Sequence, residues 1–306
     1  MNADGQIPAS LYRRGLKIPV RYWPASGSPR AVVQVLHGLA EHAGRYARFA
    51  GVLNAAGISV VSHDHRGHGA EHYEPRGHFA DTEGWTVLIE DAGTVRDTID
   101  AQLPGVPHVL LGHSMGSYIA QSFAMRYPEK VQRLILSGST SPNRVEVRAA
   151  RSIAWLLSTI FGARSTGNFL NKASFGEFND DFKPNRTEFD WLSRDEAEVD
   201  AYIEDPLCGG ISSNRLWYDL LGGLLVISAP GALEQLPEEL PVLILGGALD
   251  PVGGASGLSR LARQYGKAGH TQVTLQLYQD GRHEMLNETN RDEVTANILT
   301  WIESTL

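Results

Sequence analysis

A chain of 306 residues, 42% of them hydrophobic and 20% charged, holds enough apolar side chains for a large core, which excludes a disordered or fibrous protein. The formal net charge of -8 and the absence of any run of Lys or Arg exclude the basic footprint of a nucleic-acid binder. The single cysteine, Cys208, can form neither an internal disulfide nor a cysteine metal site, and reads as a small buried hydrophobe.

In chain order, the opening stretch MNADGQIPAS lacks the charged start and apolar centre of a signal peptide. No apolar run reaches the roughly 18 residues of a membrane span, so a soluble, cytoplasmic chain is expected. The alternation in SLYRRGLKIPVRYWPASG predicts an antiparallel strand pair. Residues 31–36, AVVQVL, then read as a strand ending at His37-Gly38, and RYARFAGVLNAAG spaces Phe49, Val52 and Leu53 at helical intervals. The same two textures recur in ISVVSHD, WTVLIEDAGTVRDTIDAQ, HVLLG, SYIAQSFAMRYP and VQRLILSG. They return near the end in PVLILGG, GLSRLARQYG, TQVTLQLY and VTANILTWIESTL. Strands alternating with amphipathic helices predict an α/β fold with a mostly parallel central sheet flanked by helices.

Between about Thr140 and Leu240 the alternation fails. Two apolar helical stretches, IAWLLSTIFG and LWYDLLGGLLVIS, enclose a polar, acidic middle in which SRDE at Ser193–Glu196 has capping-box spacing. The pattern predicts a helical cap inserted at residues 140–240 into a core formed by residues 1–139 and 241–306.

HVLLGHSMGSYIA, residues 108–120, carries a G-x-S-x-G match that follows a strand and opens a helix. In that context Gly112 and Gly116 allow a sharp reversal that lifts Ser114 above the sheet edge, which makes it a candidate nucleophile. The turn also sets the Met115 N–H at a helix N-terminus, where a developing oxyanion is favoured. A serine nucleophile needs a base and an orienting carboxylate. Asp250 and His283 each lie just past an expected strand, where open parallel sheets place their sites. Asp280, three residues before His283, is the rival carboxylate and reads as a turn former. His113 reads as a packing or hydrogen-bonding residue rather than a second base. At the end of the first parallel strand, Leu39 can present its N–H to the same oxyanion as Met115.

Together, HGLAEHAGRY, HDHRGHG, GHSMGS, a late Asp and a late His resemble the monoacylglycerol lipase and lysophospholipase branch of the α/β-hydrolases. The similarity spans nearly the whole chain, and TEFDWLSRDEAEVDAYIEDPLCGG resembles bacterial lysophospholipases. It implies Ser114 as nucleophile, Asp250 and His283 as its partners, and Leu39 and Met115 as the oxyanion hole. It also implies that Glu41 and Arg45, otherwise an i,i+4 surface pair, line a polar alcohol pocket. Ser117 stands where the animal lipases have Gly.

HDHRGHG, with His63, Asp64, His65 and His68, does not fit the metallo-β-lactamase pattern and reads as a tight loop with Arg66 hydrogen-bonded internally, so no metal and no organic cofactor are expected. Within IAWLLSTIFG, Ile153, Leu156, Leu157, Ile160 and Phe161 share one helical face, with Trp155 beside it. Over an esterase site, Trp155, Leu156, Ile160 and Phe161 would line an acyl groove or touch a membrane or micelle transiently. The expected activity is a serine carboxylic ester hydrolase taking single-chain lipid esters. Alternatives are a small-ester carboxylesterase, a proline iminopeptidase-like serine aminopeptidase that uses the acidic run Glu188–Asp205 for an ammonium group, and a catalytically dead ligand-binding scaffold.

Overall fold

In the computed structural model, which describes residues 7–70 and 75–306, the apolar runs at residues 31–36, 58–63, 108–113, 134–137 and 242–247 become strands buried from end to end. The first six residues, part of the stretch read for a signal peptide, lie outside the described residues. The antiparallel pair is β1 (Ser10–Arg13) and β2 (Leu16–Trp23). The remaining strands are β3 (Ala31–Leu36), β4 (Ile58–His63), β5 (His108–His113), β6 (Leu134–Ser137), β7 (Val242–Gly247) and β8 (Val273–Tyr278). They form one sheet in the order β1-β2-β4-β3-β5-β6-β7-β8, parallel from β4 onward.

Period-two alternation divides the strand side chains between two cores. Val33, Val35, Val109, Leu111 and Ile135 pack with α1 (Ala47–Ala55) and α9 (Arg291–Thr305) on one face. Leu36, Leu110, Leu134 and Leu136 pack with α2 (Gly84–Gln102), α3 (Met115–Arg126) and α8 (Gly254–Lys267) on the other. This is the doubly covered parallel sheet that the alternation predicts.

Between β6 and β7 lie α4 (Arg144–Phe161), α5 (Asn168–Phe175), α6 (Glu196–Glu204) and α7 (Asn214–Ile227). The capping box expected at Ser193–Glu196 does not form. Asp195 is the N-cap of α6 and accepts the Ala197 N–H at 3.1 Å, because the Ser193 hydroxyl is engaged with the Asn287 carbonyl at 2.8 Å. Among the described residues, no helix is long and apolar enough to cross a membrane.

Candidate active site

Strand β5 runs into α3 through Ser114, whose φ of 51° and ψ of -121° are strained for a residue with a Cβ. The elbow exists because its flanking glycines let backbone approach backbone. A Cβ at Gly116 would sit 1.9 Å from the Leu36 carbonyl oxygen, and one at Gly112 would sit 2.2 Å from that of Gly116. The Ser114 N–H donates to the Ser137 carbonyl at 2.9 Å, fixing the turn to the neighbouring strand.

Asp250 follows β7 and His283 follows β8, and both are buried. His283 Nδ1–H donates to Asp250 Oδ2 at 2.9 Å, which leaves Nε2 as the acceptor. Asp250 is itself held by the Val252 N–H at 2.9 Å. Burial disfavours a charged His283, but the charge and hydrogen bond of Asp250 outweigh it, and the imidazole pKa is raised above 6.5. Asp280 is 81% exposed and lies 4.0 Å from Arg194, so it remains a turn residue. Ser114 and His283 border the same cavity without a direct hydrogen bond between described atoms. Catalytic contacts of this kind are often loose until substrate is bound. His113 packs against His283 with the rings tilted and their centroids 4.8 Å apart, and burial lowers its pKa to about 4, which keeps it neutral.

The Leu39 and Met115 N–H groups donate to no other described residue. Their surroundings, by contrast, are tightly bonded. Glu41 Oε1 accepts the Gly38 N–H at 2.5 Å and the Tyr46 hydroxyl at 3.0 Å, and Glu41 Oε2 accepts from Arg45 at 3.0 Å. Arg45 also bonds Glu284, so the expected surface pair is a buried three-member cluster. Glu41 borders the main cavity, whereas Arg45 borders a space of only about 10 Å³ behind it, at the lower limit for one water. Sequence reading missed Glu284, although its position beside His283 was a signal.

The main cavity, about 620 Å³, is walled by Leu39, Phe175, Phe189, Trp191, Leu192, Ile211 and Val252 around Ser114 and His283. Asn171, Lys172, Asn185 and Glu188 supply polar groups to its lining. Trp155, Leu156, Ile160 and Phe161, expected along an acyl groove, are absent from this wall and are 56%, 48%, 62% and 65% exposed. The helical period was read correctly, but α4 packs on α7 with Val147 and Ala154 buried and Ala150 and Leu157 partly covered, which turns Ile153, Trp155, Leu156, Ile160 and Phe161 outward. Leu216, Trp217, Leu220, Leu221 and Ile227 of α7 are consumed in packing against α2, α3 and α4. The wall comes instead from α5 and the acidic middle segment, whose aromatic residues carried no helical period.

In the HDHRGHG loop, the backbone N–H of His65 donates to His37 Nε2 at 3.0 Å, and Arg66 makes a bidentate pair with Asp91 at 2.6 and 3.0 Å. Among the described residues, the one grouping with metal-ligand spacing is His42, Asp205 and Cys208. His42 Nδ1 accepts the Gly44 N–H at 3.1 Å while Nε2–H donates to Asp205 Oδ2 at 2.8 Å, so this tautomer offers a metal no lone pair. Cys208 is half-buried rather than fully buried, and burial pushes its thiol up to about 12.

A family model described as serine aminopeptidase, S33, matches residues 27–290. The chain belongs to that hydrolase family. The α/β-hydrolase is 30% identical to the monoacylglycerol lipase of Mycolicibacterium smegmatis, with 95% of each chain covered. It is 29% identical to the monoglyceride lipase of Mus musculus, over 99% of this chain and 88% of the relative. A carboxyl esterase from Bacillus coagulans in complex with glycerol superposes with a TM-score of 0.90 at 28% identity, covering 97% of both chains.

Proposed function

We propose that this α/β-hydrolase is a serine carboxylic ester hydrolase acting on single-chain lipid esters, with residues 140–240 as a cap on the core. The observation that carries the reading is the shared cavity, in which a strained serine and an Asp-paired histidine face one apolar wall. Ser114 attacks the ester carbonyl while His283 Nε2 takes its proton, and the Leu39 and Met115 N–H groups receive the oxyanion. His283 then gives the proton to the leaving alcohol, which departs along the polar wall at Glu41. Water activated by the same imidazole hydrolyses the acyl-enzyme, and Asp250 steadies the imidazolium.

An aminopeptidase would need a free carboxylate near Ser114 for the substrate ammonium. Glu41 and Glu284 are already committed to Arg45, which leaves Glu188 in the cavity lining as the carboxylate that reading would use. The outward side chains Ile153, Trp155, Leu156, Ile160 and Phe161 give the cap an apolar outer face, and we assign it transient contact with the membrane or micelle that holds the substrate.

The test is kcat/KM across p-nitrophenyl esters from acetyl to octanoyl, with monoacylglycerols and an aminoacyl p-nitroanilide alongside. Each methylene accommodated by the wall contributes up to about 0.8 kcal/mol, so efficiency should climb several-fold per two carbons. A flat or falling series sinks the lipid reading, and preferred cleavage of the anilide replaces it with the aminopeptidase.

A further inference from the structure

We propose that Tyr202 is a positioning residue for the oxyanion peptide, so that the segment between β6 and β7 supplies part of the catalytic machinery and not merely a roof. The proposal rests on the serine-hydrolase reading and extends it to a residue outside the triad and the oxyanion hole.

The peptide that carries the Leu39 N–H sits in a loop with an unfavourable backbone. Ala40 has a φ of 57°, a left-handed conformation that a non-glycine residue keeps only where its surroundings enforce it. Two donors from the inserted segment enforce it. The Ala40 carbonyl accepts the Tyr202 hydroxyl at 2.9 Å and the Gly209 N–H at 3.0 Å. Gly209 N–H also lies 3.1 Å from the Tyr202 oxygen, which closes a three-membered arrangement over Ala40. On the other side of Leu39, the Gly38 N–H is held by Glu41. The unpartnered Leu39 N–H therefore lies between two pinned peptide units.

Tyr202 is well placed for this task. Its side chain is buried, and burial pushes its phenol pKa up, so the hydroxyl remains a donor. Its ring is fixed by Phe189 at 5.1 Å and by the Arg45 guanidinium at 5.0 Å. Next along the chain, Asp205 accepts from His42 at 2.8 Å, a second tie between the same two segments. Tyr202 also borders the cavity, but its hydroxyl already donates to one group and accepts from another, so substrate binding is not its main use.

An oxyanion donor acts only if it is aimed at the position the oxyanion will occupy, and losing one outright typically slows turnover by 10²–10³. Loosening one should cost less. For the full-length Tyr202→Phe variant we expect kcat to fall by about tenfold with KM within about twofold. The affinity for a trifluoromethyl ketone, whose tetrahedral adduct places an oxyanion in the hole, should fall by the same factor. The pH midpoint of kcat/KM should not move, since His283 is untouched.

Unchanged kcat and ketone affinity would overturn the proposal, as would a raised KM at constant kcat, which would mark Tyr202 as a substrate contact. Tyr202→Leu, which removes ring and hydroxyl together, guards against misreading a packing effect. Normal ketone affinity in Tyr202→Phe with loss only in Tyr202→Leu would assign the role to packing. Labelling of the wild type by a fluorophosphonate, abolished by Ser114→Ala, tests the serine-hydrolase reading separately. Absence of labelling fails that reading, whereas labelling with an unimpaired Tyr202→Phe enzyme fails this proposal alone.

Discussion

Arg45 and Glu284 meet fork to fork, with Nη1–Oε1 at 2.6 Å and Nη2–Oε2 at 2.7 Å. Burial alone would raise the Glu284 pKa, but the guanidinium overcomes it and holds the carboxyl at about 2. Because Glu284 follows His283 and Arg45 also grips Glu41, this one arginine fastens the histidine loop to the loop that carries Leu39. Two segments 239 residues apart are thereby set in one frame.

Arg45→Met should consequently damage stability and activity together. Removing one partner of a buried pair typically costs about 3–5 kcal/mol, which for a chain of this size lowers Tm by on the order of 10 °C. Glu284→Gln in the same background should recover part of the loss by removing an unpaired buried charge. Differential scanning calorimetry of the two variants checks this, and an Arg45→Met melt within about 2 °C of wild type would contradict it.

Ser114 carries both the proposed chemistry and a conformation that favours glycine. Ser114→Gly should therefore abolish turnover while raising stability by about 1 kcal/mol, whereas Ser114→Ala should lower kcat about 10⁴–10⁶-fold and keep the strain. Chemical denaturation read beside ester hydrolysis separates the two variants. A glycine variant no more stable than the alanine variant would mean that the elbow stores no strain.

The pH dependence follows from the raised His283 pKa. In the proposed mechanism His283 must be neutral to accept the serine proton, so kcat/KM should rise with pH through a midpoint above 6.5. Asp250→Asn should lower both the rate and the midpoint, and Asp280→Asn should leave both near wild type. A larger effect from Asp280→Asn would show that the wrong carboxylate has been assigned.

The sheet was legible because its signals are local. The fully buried runs AVVQVL and VLILGG and the punctuation of GHSMGS each specify an element within a few residues. The placement of Asp250 against His283, beside the same cavity as Ser114, was legible because strand ends in such a sheet converge. The orientation of α4 was not, since an amphipathic stripe shows that a face is apolar but not whether a partner will cover it. Val147 and Ala154 are the fully buried apolar residues of α4, and Leu157 of the stripe is only partly covered. Tyr202 on Ala40 and Arg45 on Glu284 were equally hidden, because a single polar pair over 162 or 239 residues leaves no periodic trace.

Acid should unfold the protein through histidines outside the proposed chemistry. Burial lowers the pKa of His37, His65 and His108 well below 6.5 and takes His63 and His113 to about 4. Each binds a proton in the unfolded chain at about pH 6.5 but resists it when folded, so stability is full above that value and declines as pH falls toward the folded pKa. Each such group steepens the decline by up to about 1.4 kcal/mol per pH unit, with five acting together. His283 works in the opposite sense: its contribution is present below about 6.5 and lost as pH rises through its raised value. Neither ring nitrogen of His63 has a hydrogen-bond partner among the described residues and burial is the one cause of its shift, which makes it the cleanest probe. Urea unfolding of wild type and His63→Leu between pH 7.5 and 5 should give a steeply falling stability for the former and a slope shallower by roughly one histidine for the latter. Stability that stays level over that range would show that these imidazoles are not held neutral by the fold.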